Sequence, residues 1–136
     1  MGAEELCALD GSKLNEVGTD IIGAAIAVHS ALGPGLLESV YELCPSHELS
    51  RRGLRVQNQV CIPVRYGVLV IENGYRIDMI VNEHVVVELK AIETVQPVHR
   101  AQVMSYLRLR RFRLGYLLNF NVSRMRDGIV RFVNGL

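Results

Sequence analysis

Cysteine and long apolar stretches are both scarce in this chain of 136 residues. The three cysteines, Cys7, Cys44 and Cys61, are odd in number and show no CxxC spacing, so neither a disulfide framework nor a thiolate zinc site is indicated. The longest apolar run, residues 21–28, is too short to span a bilayer. Low-complexity tracts and internal repeats are absent as well. Since 49% of the residues are apolar and 21% are charged, the composition predicts a folded globular chain with a real core.

The N-terminal segment lacks the features that direct a protein to a membrane. It is acidic and has no basic-then-apolar layout of a signal peptide, and Leu6 stands where myristoylation requires Ser or Thr. We therefore expect a reduced, cytoplasmic protein that does not associate with membranes. Residues 1–11 are expected to form a flexible tail and residues 12–136 a single domain, whose apolar content also allows homo-oligomers.

The charge of the chain is nearly balanced but unevenly distributed. Its net charge is +1, which argues against a protein that binds polyanions over its whole surface. Residues 1–93 hold 13 acidic and 7 basic residues, a balance of −6, whereas residues 94–136 hold 8 arginines and only Asp127, a balance of +7. This asymmetry predicts one basic surface, suited to nucleic acid or to an acidic partner subunit.

Two helices are predicted in the first part of the chain. Apolar residues recur at helical spacing over residues 12–32, and Gly33-Pro34 ends that pattern. His29 lies beside the apolar stripe, where we expect a partly buried, hydrogen-bonded histidine rather than a metal ligand. The second helix is predicted over residues 36–52. Pro45 lies inside it and is expected to kink or break it, because a mid-helix proline removes a hydrogen bond.

The remaining pattern predicts strands around one further helix. Turn signals at Tyr66-Gly67 and Asn73-Gly74 separate the early strands. In chain order the predicted elements are strands over residues 54–64, 67–71, 75–81 and 85–90, a helix over 98–111, and extended segments over 113–120 and 129–133. This order fits an α/β three-layer sandwich with a mixed sheet.

The stretch of residues 75–90 is predicted to be a hairpin, with β-branched strands on both sides of Asn82-Glu83-His84. If its loop has an odd number of residues, Asp78 lies opposite Glu88, on the same face of the sheet. Lys90 then shares that face, because side chains alternate along a strand. A loop with an even number of residues would turn Asp78 to the other face and separate the three groups.

Two carboxylates on a largely apolar sheet are unfavourable without a compensating cation, since like charges and burial both raise their pKa. Oxygen-rich clusters of this type suit Mg²⁺ or Mn²⁺, and a neighbouring lysine can hold or polarise a water molecule. Taken alone, the hairpin also allows a simpler interpretation, in which Asp78 is solvated and Glu88 and Lys90 form an ordinary ion pair.

Two short motifs carry a resemblance to a known family. The run from Gly35 to Tyr41 matches the GxxExxY signature, and Asp78 followed by Glu88-Leu89-Lys90 matches a D…ExK signature. Over residues 14–136 the chain resembles the GxxExxY proteins of the PD-(D/E)XK nuclease superfamily. The resemblance implies a restriction-endonuclease-like αβββαβ core and a nuclease that depends on a divalent metal and hydrolyses DNA or RNA.

The resemblance also implies roles for individual residues. Glu38, Asp78 and Glu88 would hold one or two Mg²⁺ (or Mn²⁺) ions. Lys90 would position the attacking water or steady the phosphate at the transition state. Gln102, from the helix after the ExK strand, would support the water or the substrate.

Further residues would shape the cleft and bind the substrate. Tyr41 and Tyr106 would line or brace the cleft, whereas Arg100, Arg108 and Arg110 on the third helix would contact phosphates of a nucleic-acid partner. Two alternatives remain open at this point. The domain could bind nucleic acid or act as an accessory module without efficient turnover, or it could be an interaction protein with a vestigial carboxylate pair.

Overall fold

A computed structural model describes residues 10–136, which form three α-helices and a five-stranded mixed sheet. The helices are α1 (Gly11–Leu32), α2 (Glu38–Arg51) and α3 (Pro97–Arg110), and a 3₁₀ turn spans Met125–Gly128. The strands are β1 (Val56–Tyr66), β2 (Leu69–Val81), β3 (Val85–Lys90), β4 (Leu114–Asn119) and β5 (Ile129–Val133). They lie in the order β1-β2-β3-β4-β5, and only β3 and β4 run parallel.

The sheet separates two apolar layers. On one face α1 and α2 cover Met79, Val87 and Leu89, and on the other α3 covers Ile80 and Val86. Because β3 and β4 are parallel, α3 serves as the crossover between them, which brings the carboxyl ends of both strands to the same edge of the sheet. The predicted α/β three-layer sandwich with a mixed sheet is confirmed.

Helix α1 follows its sequence pattern closely. The Asp10 carboxylate caps it by accepting a hydrogen bond of 2.9 Å from the Ser12 amide, and Gly33 ends it with a φ of 71°. Six apolar residues form its buried stripe: Leu14, Val17, Ile21, Ala24, Ala25 and Val28. Among residues 10–136, no helix is both long and apolar enough to cross a membrane. The predicted tail over residues 1–11 falls almost entirely outside the described residues and stays a prediction.

Helix α2 corrects one expectation. It continues from Glu38 to Arg51 with Pro45 inside it, so of the predicted kink or break the break is wrong. The buried residues Tyr41, Pro45 and Leu49 recur every four positions and form the inner face of the helix. The proline ring is thus part of the buried stripe, and its burial offsets the hydrogen bond that it cannot donate.

Strand β2 corrects a second expectation, because it runs through Asn73-Gly74 without a turn. A Cβ at Gly74 would overlap the side chain and the backbone nitrogen of Val64 on β1. The register of β1 against β2 shifts between Ile62 and Val64, at the level of this close approach. Gly74 therefore allows two backbones to approach at an irregular point of the ladder. The predicted separation of β1 and β2 at Tyr66-Gly67 is confirmed.

Candidate active site

The β2–β3 hairpin has the register that a carboxylate pair requires. Its turn is Asn82-Glu83-His84, and both Asn82 (φ 49°) and Glu83 (φ 63°) lie in the left-handed region that reverses the chain. Val81 pairs with Val85, and Met79 pairs with Val87. The loop therefore has an odd number of residues, which is the case in which the next position sets Asp78 opposite Glu88.

At that position the two strands separate, and side chains replace the backbone ladder. The Asp78 amide donates to Glu88 Oε1 at 3.1 Å, and the Leu89 amide donates to Asp78 Oδ2 at 3.0 Å. Beyond this point β3 continues alongside β4, where Lys90 pairs with Asn119. Each carboxylate thus bonds to the backbone of the opposite strand, which holds both side chains in the fork between β2 and β3.

Burial and mutual repulsion control the charge of this pair. The Glu88 side chain is buried, and the residue is only 4% exposed. Desolvation first, and then the nearby charge of Asp78, raise the pKa of Glu88 from its usual 4.5 to about 8, whereas Lys90 opposes the shift. Near neutral pH and without a cation, Glu88 therefore holds a proton.

These donors fit a hard divalent cation. Carboxylate oxygens are the ligands that Mg²⁺ and Mn²⁺ prefer, and a divalent charge would compensate both carboxylates at once. Within residues 10–136, no group of three or more His, Cys, Asp and Glu side chains is close enough to enclose a metal ion. The pair therefore supplies only part of a coordination shell, and Mg²⁺ commonly completes such a shell with water and substrate phosphate.

Lys90 lies at the end of β3, on the same side of the strand as Glu88. It is partly buried, and its backbone carbonyl accepts a 2.9 Å bond from the Phe120 amide. The buried Asn119 fixes the chain just beyond it, since its side-chain amide accepts from Ile92 N–H at 3.1 Å and donates to Ile92 O at 2.9 Å. These bonds hold the chain at Lys90 and two residues beyond it, at the mouth of the fork.

Helix α2 brings two further acids toward the fork. Glu38 is its first residue and is exposed. Glu42, one turn later, is partly buried and accepts a 3.1 Å hydrogen bond from the Gln59 side chain. Desolvation raises the pKa of Glu42, and the charges of Asp78 and Glu38 raise it further. Sequence reasoning missed Glu42, although its spacing of four residues from Glu38 places it on the same helix face.

Tyr41 fixes the loop that leads into α2. Its buried hydroxyl donates to Gly33 O at 2.6 Å and accepts from the Leu36 amide at 3.1 Å. The ring stacks on Phe120, with centroids 4.7 Å apart. The GxxExxY tyrosine thus connects the end of α1, the start of α2 and the segment after β4.

Tyr106 approaches the site from α3. It stacks on Tyr75 with centroids 4.8 Å apart. Burial raises the pKa of Tyr106 to about 12, and the charges of Glu88 and Asp78 add to the shift. The Tyr106 hydroxyl is therefore a neutral group near the carboxylate pair. Gln102 lies one turn earlier on α3, is exposed, and forms no hydrogen bond with any described residue.

The arginines predicted to bind phosphate are exposed on α3. Arg100, Arg108 and Arg110 form no ion pair with an acidic side chain in the described part of the chain. Arg110 lies near Tyr75, whose pKa it lowers slightly against the larger effect of burial. All three side chains can therefore meet an external anion.

Comparison with known proteins agrees with this geometry. A family model described as the PD-(D/E)XK nuclease superfamily matches residues 15–132. No curated protein and no solved structure matches the chain. Nucleases of this superfamily generally use divalent metals. The three helices and the five-stranded mixed sheet are consistent with its restriction-endonuclease-like fold. The match covers most of the chain, and the chain therefore belongs to the PD-(D/E)XK nuclease superfamily.

Proposed function

We propose that this domain is a nuclease that hydrolyses phosphodiester bonds of DNA or RNA with a divalent metal, and that it is a GxxExxY member of its superfamily. The observation that carries the proposal is the pair formed by the partly buried Asp78 and the buried Glu88, held in the fork between β2 and β3. The backbone hydrogen bonds of the two side chains do not by themselves explain the pair, because burial and the neighbouring Asp78 charge both disfavour the charged form of Glu88. A cation removes that penalty.

The proposed metal is Mg²⁺ or Mn²⁺, held by Asp78 and Glu88. Glu38 of α2 would serve as the third acid only by moving toward the pair, since no three acidic side chains of residues 10–136 lie close enough together to hold a metal. When bound, such an ion activates a water molecule and neutralises negative charge on the scissile phosphate. Lys90, on the side of the strand that carries Glu88, would orient the attacking water or stabilise the phosphate. Gln102 would support the water or the substrate.

The surrounding residues would position this machinery and the substrate. Tyr41 keeps the loop before Glu38 in place through its two hydrogen bonds, and Tyr106 closes the fork from the α3 side. Arg100, Arg108 and Arg110 would contact phosphates away from the scissile bond, which adds affinity without sequence preference.

Cleavage assays on wild-type protein and on two substituted proteins test the proposal. Plasmid DNA, single-stranded DNA and RNA are incubated with Mg²⁺ or with Mn²⁺, and with a chelator as the metal-free reference. We expect Asp78→Asn to remove a metal ligand and Lys90→Met to remove a charge used in the transition state. Each should lower the rate at least about 100-fold, the usual effect of losing such a group.

The control is Glu72→Gln, which neutralises an exposed acid on β2. It should cleave at the wild-type rate. Melting curves establish that every variant is folded. Cleavage that persists in Asp78→Asn and Lys90→Met, or folded wild-type protein that cleaves none of the three substrates with either metal, contradicts the proposal.

A further inference from the structure

A cavity lies on the α1 side of the molecule, where the end of α1 meets the segment after β4. Its volume is about 500 Å³. Its wall receives polar groups from His29, Ser30, Ser123, Arg124 and Arg126, and no acidic residue of the described range 10–136 lines it. None of these residues belongs to the proposed cleavage machinery.

The charge of this cavity suits an anion. Neither Arg124 nor Arg126 forms an ion pair with an acidic residue anywhere in residues 10–136. The carboxyl end of α1 contributes a partial negative charge of roughly half an elementary charge. Two guanidinium groups exceed that charge, and each can bind a phosphate through two parallel hydrogen bonds.

A hydrogen bond joins two parts of the cavity wall. His29 is only 8% exposed, and its Nε2 lies 2.7 Å from Val122 O. Because a carbonyl oxygen only accepts, Nε2 donates this bond. It ties α1 to the segment that carries Arg124 and Arg126, so the cavity is held open by a buried contact, as expected for a preformed binding site.

The cavity is connected to the proposed active site along two short segments. Gly33 lines it, and Gly33 O accepts the Tyr41 hydroxyl that fixes the loop before Glu38. On the other side, Arg124 follows Phe120 by four residues, and the Phe120 amide bonds to the Lys90 carbonyl. Four residues span at most about 14 Å, a reach of a few nucleotides, since the phosphates of one strand rise about 3.4 Å each along the axis of a duplex.

We propose that this cavity is a phosphate-binding subsite, in which Arg124 and Arg126 hold a backbone phosphate of the nucleic-acid strand a few nucleotides from the scissile bond. The inference rests on the proposed function, because the strand that it binds is the substrate. It assigns substrate binding to the segment after β4, in addition to the arginines of α3.

Salt-dependent binding tests the subsite without requiring cleavage. A fluorescent single-stranded oligonucleotide is titrated with metal-free protein at several salt concentrations between about 50 and 200 mM, and affinity is read from fluorescence anisotropy. Each phosphate contact contributes about 0.7 to the slope of log affinity against log salt for a single strand. Because the two arginines hold one phosphate, the double variant Arg124→Ser/Arg126→Ser should show a slope smaller by about 0.7. The wild-type protein should therefore lose about 2.6 times more affinity than the variant over this salt range.

Arg65→Ser is the matched control, because Arg65 is an exposed arginine of β1 near the β1–β2 turn and outside the cavity. Its slope and affinity should equal those of the wild type. If the folded double variant also keeps the wild-type slope and affinity, the subsite is refuted. A nucleoside monophosphate, tested in a separate titration, separates the two sources of phosphate. If it binds the wild type as tightly as the oligonucleotide and only the double variant loses it, the cavity is a free-nucleotide site and the inference is wrong.

The two proposals fail in different assays. Cleavage by the wild type together with unchanged binding by Arg124→Ser/Arg126→Ser refutes the subsite alone. If the wild-type protein cleaves neither plasmid DNA, single-stranded DNA nor RNA, the nuclease proposal is refuted, whatever the oligonucleotide titration shows.

Discussion

Glu88 should make the stability of the metal-free protein depend on pH. Burial and the Asp78 charge raise its pKa from 4.5 to about 8. Between these values the folded protein binds more protons than the unfolded chain, so the free energy of unfolding falls as pH rises. The stabilisation that comes from protonated Glu88 is fully present below about pH 4.5 and is lost as the pH rises through about 8. At about 1.4 kcal/mol per pKa unit, it amounts to at most about 5 kcal/mol.

Urea unfolding in the presence of a chelator, at several values between about pH 5 and pH 9, measures this effect. Glu88→Gln is the informative variant, because glutamine stays neutral and its side-chain oxygen can still accept the Asp78 amide. The wild type should lose several kcal/mol more than Glu88→Gln over this range. Burial lowers the pKa of His84, which gives a pH dependence of the opposite sign, but this contribution cancels in the difference between the two proteins.

Glu72→Gln should follow the wild-type curve, since Glu72 is exposed on β2. Parallel curves for the wild type and Glu88→Gln would refute the reasoning, because they would show that Glu88 does not hold a proton in the folded protein. A divalent ion should also stabilise the wild type more at about pH 8.5 than at pH 6, since it competes with the proton for the same oxygens.

Two further predictions concern the supports of the site. Tyr41→Phe removes the hydroxyl that bonds to the loop before α2. The free energy of unfolding in urea should fall by about 1–3 kcal/mol, and cleavage should slow because the loop positions Glu38. Wild-type stability and cleavage rate in this variant would show that the Tyr41 hydroxyl does not hold the loop. Asn119→Leu leaves the N–H and C=O of Ile92 without their side-chain partner. The free energy of unfolding, measured in the same way, should fall by about 2–4 kcal/mol. A fall below about 0.5 kcal/mol would show that the two hydrogen bonds of Asn119 are dispensable.

The hairpin and its two possible registers could be predicted because they depend on local rules. Apolar residues alternate on both sides of the turn, and the length of that turn determines which residues face each other. These two facts leave two cases, and the structure has the odd loop, in which Asp78 lies opposite Glu88. The helices and the order of the strands follow from periodicity in the same way, which is why the layered architecture could also be predicted.

The features that sequence reasoning missed depend on residues far apart in the chain. Asn73-Gly74 is a turn signal in isolation, but the approach of Val64 makes the glycine part of a strand. Burial of Pro45 on the inner face of α2 overrides its tendency to end a helix. The cavity lined by Arg124 forms only where the end of α1 meets the segment after β4, and no local pattern reveals that contact.

The crossed hydrogen bonds of Asp78 and Glu88 have a consequence for how this protein tolerates change. The same oxygens that would serve the chemistry also act as the last rung of the β2–β3 ladder, because each accepts a backbone amide from the other strand. Replacing either residue by alanine leaves an amide in the fork without its acceptor, whereas Asn or Gln retains an oxygen in that place. Loss of the nuclease chemistry during evolution should therefore favour amides over small residues at both positions, so that an inactive descendant keeps the hairpin closed.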